Sequence, residues 1–167
     1  HVSTMSILRV LYPERYKSSK IAEKVKFYEK SRPHVMYHAD TMEVTLESGS
    51  LIHQISVEDD YSRGYMALCV FPKKHSYFVI LTLLRAFRLH SKPELFHHDN
   101  GGEYDNGVVS RLLQMLDIVN VPTEVENPKG NGKKERAHSQ DRKYFYDNYQ
   151  FWEIESVEKA IPEYIRF

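Results

Sequence analysis

The sequence predicts an α/β fold, a five-stranded mixed sheet flanked by helices, and three observations lead there. Residues 35–71 hold three runs rich in strand-favouring residues, separated by two short turn signals. Residues 75–122 then alternate helical periodicity with short apolar runs, the order that brings strands back parallel. At 167 residues the chain has the length of one ordinary domain, enough to bury a sizeable core.

The first thirty or so residues stand apart from that pattern. Ser3 to Leu11 spaces Met5, Leu8 and Leu11 as a helix would, until Pro13 stops it. Ser18 and Ser19 offer N-caps for a second helix, Lys20 to Lys30, with Ile21, Val25 and Tyr28 as its apolar stripe and Pro33 beyond its end. Too few hydrophobics are present here to fold alone, so residues 1–32 are expected to be a basic helical linker or a domain remnant. The chain begins at His1 rather than Met, which predicts an excised fragment. Residues 33–167 hold the single core.

Val35–Leu46, Ile52–Val57 and Tyr65–Phe71 are the three expected antiparallel strands, with turns at Glu47-Ser48-Gly49-Ser50 and Ser62-Arg63-Gly64. His75 to His90 carries Phe78, Leu81, Leu84 and Phe87 at helical spacing and is closed by Lys92-Pro93. Leu95–His98 is an expected strand, Glu103 to Leu116 a helix bearing Val108, Leu112 and Met115, and Ile118–Pro122 another strand. Asn127 to Gly132 form a Gly-containing loop before a long polar helix from about Lys133 to Tyr149, and a last helix runs from about Ile154 to Tyr164. Phe151, Trp152 and the Tyr144-Phe145-Tyr146 cluster are expected to pack these terminal helices.

Hydrophobic residues make up 41% of the chain and its mean hydropathy is −0.55, as in a soluble globular protein. No run approaches the ~18 consecutive apolar residues of a membrane span. The N-terminus also lacks the basic-then-apolar order of a signal peptide, so a membrane partner and secretion are not expected. Cys69 is the only cysteine, cannot form an internal disulfide, and is expected to be buried in its strand.

Charge is more informative in blocks than in total. The 23 basic and 23 acidic residues cancel, which taken alone argues against nucleic acid. Residues 1–32 nevertheless hold eight basic against three acidic residues, and residues 129–143 hold six against two. Residues 33–128 hold seven against thirteen, and 144–167 two against five. Opposed blocks of this kind point to a charged partner that meets only part of the surface.

Three acids occupy informative positions. Asp40 lies inside the first strand, where strand propensity favours a hydrophobe. Asp99 ends the fourth strand before Asn100-Gly101-Gly102, and Glu135 opens the long polar helix after the Gly-containing loop. Each has an ordinary structural explanation: a satisfied strand residue, turn chemistry, compensation of a helix dipole. Together they are better explained by convergence at one edge of the sheet, since the first and fourth strands of such a sheet can be neighbours. Converging carboxylates repel unless a cation neutralises them, and oxygen-only ligands suit Mg²⁺ or Mn²⁺. The nine histidines include no Cys/His set with finger spacing, and His97 and His98, adjacent in a strand, point to opposite faces.

Four ordered blocks carry a family resemblance: His38-Ala39-Asp40-Thr41-Met42-Glu43-Val44; Ile55-Ser56-Val57-Glu58-Asp59-Asp60-Tyr61-Ser62-Arg63; His97-His98-Asp99-Asn100-Gly101-Gly102-Glu103-Tyr104; and residues 127–138, which include Asn131-Gly132-Lys133-Lys134-Glu135-Arg136. Together they resemble the integrase core of insertion-sequence transposases and retroviral integrases, over about residues 36–146. Thirty-five residues separate Asp99 from Glu135, the spacing of that family's acid triad. The resemblance implies a ribonuclease-H-like fold and an integrase-type catalytic core over residues 33–167, preceded in 1–32 by a linker or the remnant of an N-terminal DNA-binding domain. It implies that Asp40, Asp99 and Glu135 are the catalytic and metal-binding residues, and that Asp60 is structural. Ser139, at a position often basic in retroviral members, and Ala137, where an aromatic is common, depart from the pattern.

The implied activity is metal-dependent DNA 3′-end cleavage and strand transfer. Two Mg²⁺ or Mn²⁺ ions per site would be bridged by Asp40, with Asp99 and Glu135 completing one site each. The implied partners are DNA ends and target DNA, with a homo-oligomer in the whole protein. The compartment would be the nucleoid-associated cytoplasm in a prokaryote and the nucleus for a eukaryotic or viral element. DNA contacts are expected from Lys129, Asn131, Lys133, Lys134, Arg136, His138, Arg142 and Lys143, a cationic track that positions phosphates without reading sequence. Gly130 and Gly132 are expected to make the loop mobile, and His138 is expected to contact phosphate or orient Glu135. A ribonuclease-H-type nuclease, or a non-catalytic DNA-binding or assembly module of the same fold, is the alternative.

Overall fold

The computed structural model describes residues 30–123 and 138–166. Strands β1 (Met36–Thr45), β2 (Leu51–Asp59) and β3 (Tyr65–Phe71) form an antiparallel meander. Helix α1 (Ser76–Leu89) leads to β4 (Leu95–His98), and α2 (Gly107–Met115) to β5 (Val119–Pro122). Helix α3 is described over residues 138–144, and α4 (Ile154–Tyr164) follows it. The sheet order is β3-β2-β1-β4-β5, with β4 parallel to both β1 and β5. The five-stranded mixed sheet and the adjacency of the first and fourth strands are as the sequence predicts.

Alternation along the strands assigns the two faces. Tyr37, Ala39, Ile55, Val57 and Phe96 form one core with Val79, Leu83 and Ala86 of α1 and Val109 and Leu113 of α2. On the opposite face Leu46, Ile52, Leu68 and Val70 pack with Phe145, Phe151, and Val157 and Ile161 of α4. The first turn is formed as expected, with Gly49 at φ +82°, a conformation that L side chains rarely adopt.

Four expectations change. The helix expected from Glu103 begins only at Gly107, because Tyr104 and Asp105 donate their backbone N–H groups to Gly101 in a tight turn and Asn106 caps Val108 and Val109. The long polar helix does not reach Tyr149. Asn148 donates to the carbonyls of Lys143 and Tyr144, and a short 3₁₀ turn, Tyr146–Asn148, replaces further helix. Of the aromatics there, Phe145 and Phe151 are buried, but Tyr144 and Trp152 are exposed. Cys69 is half-buried rather than buried, and burial still raises its thiol pKa. The helices expected within residues 1–29 and the loop at 127–132 lie outside the described residues; Lys30 is not helical and donates its backbone N–H to Asp60.

Candidate functional site

Asp40 and Asp99 stand at the same level, where the parallel pairing of β1 with β4 ends. The last paired residues of β1 and β4 are Ala39 and His98, and the two acids come next in each strand's sequence. Each carboxylate is oriented by its own backbone: Asp40 Oδ1 accepts from the N–H of Thr41 at 2.9 Å, and Asp99 Oδ1 from that of Gly101 at 2.9 Å. A side chain at Gly101 would force its neighbours to move. A Cβ there would lie 2.9 Å from Asp99 Oδ1 and 2.7 Å from Glu103 Oε2, so the glycine lets two carboxylates share one bend.

Beneath the acids is Tyr104, fully buried, stacked on His98 and hydrogen-bonded through its hydroxyl to Thr41 Oγ1 at 2.8 Å. Burial, then the charges of Asp40, Asp99 and Glu103, hold its phenol pKa well above the ordinary value, so it is a permanent neutral floor. Lys74 stands beside the acids. It pairs with Glu43 at 3.0 Å, and this bond, then the charges of Glu43, Glu103 and Asp99, raise its pKa against the opposing effect of burial.

From the other side α3 brings in His138, whose Nε2 lies 3.4 Å from Asp40 Oδ2. Asp141, one turn further on, is buried under the same helix. Glu135, the third acid of the expected triad, lies outside the described residues, as do Lys129, Asn131, Lys133, Lys134 and Arg136. Arg142 and Lys143 are exposed on α3; Arg142 Nη2 reaches the Glu43 carbonyl at 3.4 Å, and the Lys143 ammonium sits 5.2 Å from the centre of the Tyr144 ring.

Asp60 is buried and structural in its contacts. It accepts from His38 Nε2 at 2.8 Å and from the Lys30 backbone at 2.9 Å, with Arg63 at 3.6 Å. His38 Nδ1 in turn meets His97 Nδ1 at 3.2 Å. His98 points the other way as expected, to Asn120 at 2.8 Å.

Glu58 is an acid that the motif reading did not single out. It stands opposite His38 across β1 and β2, on the face shared with Asp40. Burial pushes its carboxyl up to about 7; Arg63 opposes this, while Asp141 and Asp40 add to it. The signal was present in β2, where Gln54, Ser56 and Glu58 alternate with Ile55 and Val57 and give a buried strand one polar face. Glu103 was within a recognised block, and its role beside Asp99 emerges only from the bend at Gly101.

The donor set is compatible with a hard divalent cation, since Asp40 and Asp99 offer oxygens from rigid neighbouring backbones. Among the described residues no group of three or more His, Cys, Asp or Glu side chains is arranged to hold a metal ion. Two of the three expected ligands are thus placed, and the third is the undescribed Glu135. Among the same residues no helix is long and apolar enough to cross a membrane.

No protein-family model matches the sequence, and no curated protein matches it significantly. Solved structures do match. The integrase assembly of simian T-cell lymphotropic virus, determined as an intasome with PP2A regulatory subunit B56 gamma, aligns with TM-score 0.67 and 20% identity over 80% of this chain and 49% of that one. The HTLV-2 integrase catalytic core with magnesium aligns in its trimeric form with TM-score 0.57 and 17% identity, over 70% of this chain and 75% of that one. Its dimeric form aligns with TM-score 0.56 at 17% identity, over 70% and 76%. The chain spans about half the length of the first of these, 49%. The described residues therefore have the ribonuclease-H-like α/β fold of retroviral integrase catalytic cores.

Proposed function

We propose that the chain is the catalytic core of a DNA integrase or transposase, cleaving DNA 3′ ends and transferring them to target DNA. The observation that carries this reading is the placement of Asp40 and Asp99 at one level on adjacent parallel strands, in a fold shared with integrase cores. The magnesium recorded with the HTLV-2 core gives the same direction for the cofactor. Asp40, Asp99 and Glu135 would hold two Mg²⁺ or Mn²⁺ ions, whose chemistry is to activate a water or 3′-hydroxyl oxygen and offset the charge developing on the phosphate and leaving oxygen.

The chain's own residues supply placement. The Thr41 and Gly101 N–H groups each hold one oxygen of Asp40 and Asp99, which fixes where the remaining oxygens face. His138, beside Asp40, is a cationic or hydrogen-bonding group at the wall where a phosphate would enter. Arg142 and Lys143, with Lys129, Asn131, Lys133, Lys134 and Arg136 upstream in sequence, form the phosphate-binding track. Tyr104 closes the floor against water. The DNA partner, the oligomeric state and the nucleic-acid-containing compartment follow from this reading; the two HTLV-2 cores are described as dimeric and trimeric.

End-labelled duplex DNA incubated with the chain and Mg²⁺ tests the proposal. Cleavage and joining are expected for the wild type and lost in Asp99→Asn with the fold retained. Activity retained in that variant would sink the assignment, and cleavage confined to RNA–DNA hybrids would identify a ribonuclease instead.

A further inference from the structure

Asp141 is an acid the proposed chemistry does not use, yet it is 1% exposed and has no cationic partner among the described residues. Its Oδ2 accepts from Gln54 Nε2 at 2.5 Å; its Oδ1 accepts from the hydroxyls of Tyr65 at 2.5 Å and Tyr164 at 2.7 Å. Gln54 is held in turn, its Oε1 accepting from the Tyr146 hydroxyl at 2.8 Å. One carboxylate of α3 is thereby tied to β2, β3 and α4 by three neutral donors.

Burial first, then the Asp141 charge and hydrogen bonds, drive the phenols of Tyr65 and Tyr164 upward, and burial and the Asp141 charge do the same for Tyr146, so they remain donors throughout the working pH range. Apolar contacts alone hold a helix loosely about its own axis and along it, because a hydrophobic surface is non-directional. Three directional bonds to one carboxylate remove both freedoms. Asp141 is three residues after His138, hence on nearly the same side of α3, and His138 is the described residue of that helix in contact with Asp40.

We propose that Asp141 is a positioning residue: its three-donor clamp sets the rotation and axial register of α3 on the sheet, and thereby the placement of His138 against Asp40. The inference rests on the integrase reading for its catalytic consequence, though not for its geometry. Asp141→Asn tests it, because the new amide sets an NH₂ against the NH₂ of Gln54 while keeping size and the tyrosine contacts. The partner change Gln54→Glu, made together with Asp141→Asn, restores a donor–acceptor pair with the roles exchanged and keeps an acceptor for Tyr146.

The 167-residue chain is used for each variant, with His138→Gln to assign the ring signals. In Asp141→Asn the far-UV circular dichroism is expected to be unchanged, the His138 ring cross-peaks to shift, and the single-turnover cleavage rate to fall at least tenfold with the KM for DNA within twofold. The double variant is expected to return the ring signals and recover the rate to within threefold of wild type. Unmoved ring signals in a folded Asp141→Asn, or a rate that falls only with the folded fraction, would overturn the proposal. If Asp141→Asn does not fold, Tyr164→Phe, which removes one donor, decides by the same readouts. A wild-type chain without cleavage activity refutes the integrase reading, and the ring signals then decide the positioning role by themselves.

Discussion

His138 Nε2 lies 3.4 Å from Asp40 Oδ2, joining a helix near the end of the chain to the central strand of the sheet. The imidazole Nε2 is buried and makes no hydrogen bond of good geometry to any described residue, so its nearest polar neighbour there is the Asp40 carboxylate. His138→Ala is expected to leave the fold in place and lower the rate of DNA-end cleavage at least tenfold. Comparing single-turnover rates with unfolding midpoints checks it; an unchanged rate would remove His138 from the site.

Gly101→Ala should separate site from fold in the same way. Its Cβ would meet Asp99 Oδ1 at 2.9 Å and Glu103 Oε2 at 2.7 Å. Glu103 can swing away, but Asp99 can do so only by giving up its bond to the Gly101 N–H. The expected result is a stability loss of about 1 kcal/mol, from one weakened hydrogen bond, with cleavage reduced well beyond what that loss explains. Urea unfolding together with an activity assay on one preparation checks both halves.

Bound Mg²⁺ should stabilise the folded chain, since it relieves repulsion between Asp40 and Asp99. At a metal concentration about a hundred times Kd the gain is about 2.7 kcal/mol, a rise in Tm on the order of 5–10 °C for a domain of this size. Asp40→Asn and Asp99→Asn should each abolish most of the rise. Calorimetric scans with and without Mg²⁺ measure it, and an equal rise in both variants would place the metal elsewhere.

Glu58 predicts how stability depends on pH. Its carboxyl goes from an ordinary 4.5 to about 7 on folding, so the folded state holds the proton more tightly than the unfolded chain. Its contribution is therefore complete below about pH 4.5 and is lost as pH rises through about 7. The loss is on the order of 1–3 kcal/mol, the lower end reflecting its partial exposure. Glu58→Gln should flatten this part of the profile and be the more stable protein at pH 8, as read from denaturant midpoints between pH 4.5 and 8.

Phe145 is the apolar counterpart of the Asp141 clamp. It is fully buried, stacked on Tyr164 with ring centres 4.5 Å apart and 5.1 Å from Phe151. Phe145→Ala should cost about 3–5 kcal/mol, the range for removing a large buried aromatic, and loosen α3 and α4 together. Hydrogen exchange would show protection falling in residues 138–164 before it falls in β1 or β4.

Much of this architecture is local in origin and so was legible in the sequence. Runs of strand-favouring residues between turn signals marked β1 to β3. Helical spacing with a following proline marked α1, and the last helix was expected at the residues where α4 stands, Ile154–Tyr164. Asp40 and Asp99 were legible because an acid inside or at the end of a strand departs from the pattern around it. Register then followed, since neighbouring parallel strands whose pairing ends at Ala39 and His98 bring the next two residues level.

The sequence by itself determined which residues favour strand or helix and which acids stand out, because those properties repeat over two to four residues. Only the tertiary structure decided the partners of Asp141. Gln54 and Tyr65 lie 87 and 76 residues from it in the chain, and no periodicity reports on a pair so distant. It also ended the long polar helix near Tyr144, where turning Phe145 into the core and capping with Asn148 outweigh the helical preference of the residues beyond. Local pattern sets the elements; burial and directional hydrogen bonds between remote residues set how α3 meets the strand that carries Asp40.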